Sequence, residues 1–123
     1  MRALIVDDSR AVRSVIGRSV RELGFAAFEA GNGRDALQVL ATEGAMELAL
    51  VDWNMPEMSG YDFVCAVRAN AAHSAMRIIM VTSESEMQRV VSALEAGANE
   101  YLMKPFTVDA LRDKLVLTGV LDN

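Results

Sequence analysis

The chain has 123 residues, of which 52% are hydrophobic and 24% are charged. That length and balance fit one soluble globular domain and exclude an intrinsically disordered chain. Twelve basic residues against seventeen acidic ones leave a net charge of −5, which argues against nucleic acid or an anionic membrane as the main partner. The single cysteine, Cys65, excludes an intrachain disulfide. Since the chain also lacks a signal peptide and a membrane-spanning run, we expect a cytoplasmic protein with no membrane insertion.

Short apolar runs alternate with amphipathic stretches along the whole chain. The runs lie at 3–6, 25–30, 48–51, 78–81 and 101–103, and they are typical of strands buried on both faces. Residues suited to begin the intervening helices are Ser9, Asn32, Ser59 and Thr107. The fourth helix is predicted over roughly 86–96, with Val90, Val91 and Leu94 facing inward. Five strands alternating with five helices predict a single α/β domain whose parallel sheet is covered on both sides.

Polar residues stand where four of these five predicted strands end. They are Asp7 and Asp8, then Asp52, then Thr82 and Ser83, and finally Lys104. The second strand, ending at Ala30 and Gly31, offers nothing reactive. In an open parallel sheet, ligands bind beyond the carboxyl ends of the strands. The pattern therefore predicts that these acids, hydroxyls and one amine converge on the same rim.

Three neighbouring carboxylates repel one another, and a hard divalent cation such as Mg²⁺ relieves that repulsion. Asp52 ends a buried strand and opens onto a loop, so it is placed to act as a nucleophile and form an acyl phosphate. Lys104 and the Thr82 hydroxyl could then bind two phosphoryl oxygens. Lys104 also stands in an apolar setting and is one of only two lysines, against ten arginines.

Each of these residues alone has an ordinary structural explanation. The acidic pair could stabilise a helix dipole, Asp52 could be a turn acid, and Lys104 could be a surface residue. Those separate explanations do not account for four features on one rim. Cys65 is predicted to be a small core or half-buried residue on the third helix, and His73 to lie in a loop.

The loops exclude other phosphate chemistries. The turn after the first strand reads DDSR rather than a glycine-rich sequence, which excludes a dinucleotide site, and no Walker-type loop is present. Phosphatases that form an aspartyl phosphate often carry a second aspartate two residues on. Asn54 stands there instead, so fast turnover by general acid catalysis is not supported.

These motifs resemble the receiver domain of two-component response regulators, most closely the stand-alone, chemotaxis-type members. The resemblance rests on the Asp7-Asp8 pair, VDWNMPEMSG around Asp52, the Thr82-Ser83-Glu84 strand exit and Lys104-Pro105-Phe106. It covers residues 1–123 as one receiver domain. It implies a doubly wound, flavodoxin-like sheet in the order 2-1-3-4-5, for which the chemotaxis regulator is itself a standard example.

The resemblance also implies roles for individual residues. Mg²⁺ would be held by Asp8, Asp52 and the backbone carbonyl of Asn54, with Asp7 helping through water. Thr82 and Lys104 would contact the phosphoryl group on Asp52, and the peptide bond before Pro105 would be cis. Thr82 and Tyr101 would form a switch, although spacing alone explains Tyr101 equally well by strand packing. Asn54 and Glu84 would set the rate of dephosphorylation.

The sequence leads to a signalling switch rather than a turnover enzyme. We expect Asp52 to accept a phosphoryl group from a sensor histidine kinase with Mg²⁺ present. The phosphorylated chain would then bind a downstream target protein through the fourth helix, fifth strand and fifth helix, without direct nucleic-acid contact. Two alternatives stay open: a receiver cut from a larger regulator with a tethered DNA-binding or enzymatic domain, and a degenerate receiver that serves only as a binding module.

Overall fold

The computed structural model describes residues 1–83 and 87–122, and within them five parallel strands alternate with five α-helices. The strands are β1 (Arg2–Val6), β2 (Ala26–Ala30), β3 (Leu48–Asp52), β4 (Arg77–Thr82) and β5 (Glu100–Met103). The helices are α1 (Arg10–Glu22), α2 (Gly33–Glu43), α3 (Gly60–Arg68), α4 (Met87–Ala96) and α5 (Val108–Leu117). All strand pairings are parallel and the order is β2-β1-β3-β4-β5, which confirms the predicted topology.

The sheet separates two hydrophobic layers. Leu4 and Val6 of β1 point into the layer formed with α2, α3 and α4, whereas Ala3 and Ile5 point into the layer formed with α1 and α5. This alternation follows from the two-residue period of a strand. β3, at the centre of the sheet, is buried at all five positions. Its carboxyl end is therefore held rigidly, with a neighbouring strand on each side.

Local capping residues fix where the helices begin. The side chains of Ser9, Asn32, Ser59 and Thr107 each accept a hydrogen bond from the backbone N–H three residues on. Each bond satisfies one of the free donors in a first helical turn. All four predicted helix starts are confirmed. No helix in the described ranges is long and apolar enough to cross a membrane.

The predicted helix faces are wrong at Val91, Leu94 and Cys65, whereas Val90 is buried as predicted. On α4, Val90 and Ala93 are buried, whereas Val91 is 58% and Leu94 37% exposed. The inward stripe uses the i, i+3 spacing, and a small alanine fills the place assigned to the larger residues. Cys65 is exposed, because α3 turns Phe63, Val64 and Val67 inward and leaves Cys65 on its other side.

His73 also departs from the predicted loop. It lies in a short 3₁₀ turn, Ala71–His73, and its side chain is buried. The turn begins at Asn70, whose side chain accepts a hydrogen bond from the Ala72 N–H. The stretch between α3 and β4 is therefore ordered by local hydrogen bonds rather than left as an open loop.

Arg68, at the end of α3, joins the elements at the edge of the sheet opposite the carboxyl ends. Its guanidinium donates to the carbonyls of Met76, Gly97 and His73 at 2.7, 2.9 and 3.1 Å, and to the Asn99 side chain at 2.9 Å. Gly97 leaves room for this side chain, because a Cβ there would lie 2.7 Å from Arg68 Cγ. One residue thus ties α3 to the segments that enter β4 and β5.

Gly17→Ala is expected to stabilise the fold by about 0.5–1 kcal/mol, because alanine costs less conformational entropy than glycine inside a helix. Gly17 lies within α1, and the nearest atom to an added Cβ is the flexible guanidinium of Arg21 at 3.3 Å. Urea unfolding at constant m-value measures the change. Gly24→Ala is the matched control and should destabilise, since Gly24 has open space around it but a φ of +96°. A destabilised Gly17→Ala would contradict the expectation.

Candidate functional site

The carboxyl end of β3 places Asp52 on the rim of the sheet. Asp52 is the last residue of the strand and is only 5% exposed. Backbone pairing sets it beside Val81 of β4, so Thr82 lies one position further along the neighbouring strand. The loop after β3 folds back onto the end of the strand, because the Gly60 N–H donates to the Trp53 carbonyl at 3.0 Å. A buried carboxylate is therefore presented at a fixed point of the rim.

Asp7 and Asp8 approach Asp52 from the end of β1. One carboxylate oxygen from each of the three residues lies within 4.8 Å of the others. Asp7 is 2% exposed and Asp8 is exposed, so the cluster opens on one side to solvent. β1 and β3 are adjacent strands, which is why residues 45 positions apart in sequence meet here.

Lys104, the residue that follows β5, completes the cluster. Its Nζ lies 3.2 Å from Asp52 Oδ1 and 3.6 Å from Asp7 Oδ2. Partial burial alone would lower the Lys104 pKa, but the Asp52 charge, with Asp7 adding to it, raises the pKa above its ordinary value of 10.5. The ammonium therefore stays charged at neutral pH. As far as the titration of Lys104 itself is concerned, the contribution to stability is fully present below pH 10.5 and is lost as pH rises through the raised pKa.

Thr82 is fully buried at the end of β4, and its hydroxyl donates to the Ser83 carbonyl at 3.2 Å. Contact with a group on Asp52 would require that hydrogen bond to be exchanged. The Lys104 N–H donates to the Thr82 carbonyl at 2.7 Å, which ties the two strand exits together. The peptide bond between Lys104 and Pro105 is cis, as the resemblance implies.

Of the remaining predicted site residues, the structure describes Asn54 and Tyr101. Asn54 is exposed in the loop after β3. Tyr101 is half-buried on β5. Its ring lies 4.6 Å from Lys114 Nζ, and that ammonium also pairs with Glu100 at 3.3 Å. Glu84 lies outside the described residues.

Three contributions to the site were missed from the sequence. Gly60 is needed because a Cβ there would lie 2.6 Å from the Asp52 carbonyl oxygen. Lys114 covers the ring of Tyr101, a contact between α5 and β5 that no sequence pattern indicates. Arg13 donates from Nη1 to the Asp7 carbonyl at 2.6 Å. The role of Gly60 could have been inferred from the sequence, because it is a glycine that follows a turn-prone loop. The contacts of Lys114 and Arg13 depend on tertiary packing.

The donor set fits a hard divalent cation. All three side chains of the acidic cluster offer oxygen, which such ions prefer. Asp7 Oδ2 is buried and has no hydrogen-bond partner among the described residues, although Lys104 lies 3.6 Å away. A buried carboxylate oxygen without a hydrogen bond is costly unless a cation or a bound water satisfies it. The cluster is therefore suited to bind a metal ion with retained waters.

The fold and site together define a class of protein. Residues 3–116 match the response regulator receiver domain family, and the chain belongs to that family. Members of this class are signalling phosphoacceptors that act as phosphorylation switches, not turnover enzymes. The cluster of Asp7, Asp8 and Asp52 is consistent with the phosphoacceptor site and typical of the metal site of receivers.

Within this family, the chain is similar to stand-alone chemotaxis proteins. It is 40% identical to chemotaxis protein CheY1 of Helicobacter pylori over 124 residues, covering 99% of this chain and 100% of the relative. The solved structure of Vibrio cholerae chemotaxis protein CheY4 is 30% identical, with a TM-score of 0.87 and coverage of 95% and 97%. A two-component response regulator/GGDEF domain protein matches with a TM-score of 0.89 at 29% identity, covering 98% of this chain and 49% of that protein.

Proposed function

We propose that this chain is a cytoplasmic signalling switch that accepts a phosphoryl group on Asp52 from a sensor histidine kinase. The observation that carries the proposal is the position of Lys104 Nζ, 3.2 Å from a buried Asp52 carboxylate that also adjoins two further acids. A structural ion pair needs one carboxylate, whereas this ammonium lies between two. Two buried carboxylates beside a single ammonium leave excess negative charge, which suits a site that binds a cation and then a phosphoryl dianion.

The proposed transfer is a displacement at phosphorus. An oxygen of Asp52 forms a bond to phosphorus, the bond between phosphorus and the donor group breaks, and the donor leaves with the electron pair. Lys104 is positioned to bind one of the equatorial oxygens through a charge-assisted hydrogen bond. The Thr82 hydroxyl would bind another after it leaves the Ser83 carbonyl.

Mg²⁺ is the proposed cofactor. Asp8, Asp52 and the backbone carbonyl of Asn54 would hold it directly, and Asp7 would help through water. When bound, Mg²⁺ would supply positive charge to a phosphoryl oxygen. The oxygen-only cluster and the unbonded Asp7 Oδ2 support this choice over a metal that prefers nitrogen or sulfur.

Loss of the phosphoryl group is proposed to be slow. Asn54 stands two residues after Asp52, where an acid would speed hydrolysis, and it is exposed to the approaching water. Glu84 is the second proposed modulator of that rate.

Phosphorylation is proposed to change target binding through α4, β5 and α5. A dianion on Asp52 would draw the Thr82 hydroxyl, and the Tyr101 ring would turn inward toward the space that Thr82 leaves. The surface of these elements supports a protein partner, because Val91, Leu94 and Met103 are 58%, 37% and 38% exposed. Exposed apolar side chains of this size suit a protein interface.

Acetyl phosphate with Mg²⁺ provides the direct test. Intact mass should show one added phosphoryl group on the wild-type chain and none on Asp52→Asn. Asp62→Asn is the matched control, since Asp62 is an exposed acid at the start of α3 and its loss should leave labelling intact. Labelling that survives Asp52→Asn, or a wild-type chain that gains no phosphoryl mass, would refute the proposal.

A receiver that regulates a tethered effector is the second candidate. It is favoured by the response regulator/GGDEF domain protein, in which a domain matching this chain occupies about half of the length. The length of the full gene product decides between the two candidates. Both use Asp52 in the same way, so the acetyl phosphate test does not distinguish them.

A further inference from the structure

Asp7 is fixed by hydrogen bonds on three sides. Its N–H donates to the Ala30 carbonyl at 3.1 Å, and its Oδ1 accepts from the Ser9 N–H at 2.8 Å. Its own carbonyl accepts from Arg13 Nη1 at 2.6 Å. These bonds come from β2, from the start of α1 and from a side chain within α1. They leave only Oδ2, the oxygen facing Lys104, without a hydrogen bond among the described residues.

Arg13 reaches Asp7 while it is anchored at its other side by Glu29. The Arg13 Nε lies 3.3 Å from Glu29 Oε1, and the Arg13 side chain is only 17% exposed. Its Nη1 passes close to Gly31, where a Cβ would lie 3.4 Å away. A guanidinium can bond two acceptors at once in a fixed geometry, which a lysine ammonium does less well. Arg13 therefore connects the end of β2 to the acidic pair that follows β1.

The ion pair of Arg13 and Glu29 has no net charge, which suits a position next to a cation site. An unpaired guanidinium close to Asp7 would repel a divalent cation. Because Glu29 pairs with Arg13, the two side chains together add no net charge beside the acidic cluster. The arrangement can hold the Asp7 backbone in place without opposing metal binding.

We propose that Arg13 is a positioning residue of the metal site, oriented by Glu29, and this inference rests on the proposed metal-dependent function. Outer-shell groups that orient the residues around a bound metal are worth about 10- to 100-fold in metal affinity when removed. The second strand, which showed nothing reactive in the sequence, thus contributes through Glu29 and the Ala30 carbonyl. Neither Arg13 nor Glu29 touches the reacting atoms, so the expected effect is on Mg²⁺ affinity rather than on the chemical step.

The double variant Arg13→Met/Glu29→Gln tests this inference, because it removes the connection and leaves the net charge unchanged. Mg²⁺ titration followed by Trp53 fluorescence should show a Kd raised about tenfold. At saturating Mg²⁺ the rate of labelling by acetyl phosphate should return to within about twofold of wild type. Arg18→Met/Glu22→Gln is the matched control on the same helix, where both residues are exposed, and its Kd should stay at the wild-type value.

Amide hydrogen exchange in metal-free protein separates positioning from general stability. The Ser9 amide, bonded to Asp7 Oδ1, should lose protection in the Arg13/Glu29 variant, whereas that of Leu50 in the central strand should not. Equal loss at both amides would overturn the inference, and so would a Kd within about twofold of wild type. If the double variant does not fold, Glu29→Gln alone should still raise the Kd two- to threefold, and an unchanged value would overturn it.

The experiments distinguish failure of the positioning role of Arg13 from failure of the proposed phosphorylation of Asp52. A wild-type chain that binds Mg²⁺ but gains no phosphoryl mass would refute the function and leave the positioning role to be judged by the Kd ratio. A wild-type chain that does not bind Mg²⁺ would overturn the positioning role directly.

Discussion

Lys104→Met should lower the rate of Asp52 phosphorylation by about 100-fold or more while it tightens the binding of Mg²⁺. Removing one charged group that stabilises a transition state typically costs 10²–10³ in rate. Lys104 Nζ lies 3.2 Å from Asp52 Oδ1 and 3.6 Å from Asp7 Oδ2, so it also competes with a metal ion for the same carboxylates. Loss of this ammonium therefore weakens the chemistry and strengthens the metal site.

Two measurements on Lys104→Met check that the labelling rate falls while the affinity for Mg²⁺ rises. The labelling rate is followed by intact mass with acetyl phosphate at saturating Mg²⁺, and Mg²⁺ affinity by Trp53 fluorescence. Arg112→Met is the control, because it removes an exposed positive charge on α5, and it should leave both values near wild type. A parallel loss of rate and of affinity in Lys104→Met would mean that the site has merely unfolded locally.

Gly60→Ala is expected to destabilise the fold by about 3 kcal/mol, at the upper end of the range for overpacking. The new Cβ would lie 2.6 Å from the Asp52 carbonyl oxygen and 3.0 Å from Trp53 Cα. Both are backbone atoms of a central strand and its exit, so they cannot rotate away. The methyl group of Met80, at 2.9 Å, could move but would not relieve the backbone contacts.

Urea unfolding at constant m-value measures the loss in Gly60→Ala. Gly33→Ala is the matched control, because its Cβ would meet the flexible Met58 side chain at 2.8 Å. We expect a change of at most about 1 kcal/mol there. Comparable losses in the two variants would show that the close approach of Gly60 to the Asp52 backbone is unimportant.

Local signals made the fold and the rim of the site predictable. A capping side chain needs only the three residues that follow it, so Ser9, Asn32, Ser59 and Thr107 could be identified without tertiary information. Apolar runs located the strands, and parallel strands bring their carboxyl ends to one edge. The convergence of Asp7, Asp8, Asp52 and Lys104 followed from those two facts.

Features that depend on packing between elements were not predictable. Val91 and Leu94 have the hydropathy of core residues, but the orientation of α4 against the sheet buries Val90 and Ala93 instead. The connection from Glu29 through Arg13 to Asp7 joins β2, α1 and β1 at a sequence separation of up to 22 residues. Its side chains are individually ordinary surface types, and only their positions give them a role.

The bonds of Arg68 have a mechanical consequence for α4. Its Nε donates to the carbonyl of Gly97, the residue after the last turn of α4, so that end of the helix is fixed to α3. Among the side chains of α4 that the structure describes, only Val90 and Ala93 are buried. A displacement where β4 ends, next to Asp52, would therefore turn α4 about its C-terminal end rather than translate it. The largest movement would fall at the other end of the helix, which follows β4, with Gly97 as the stationary pivot.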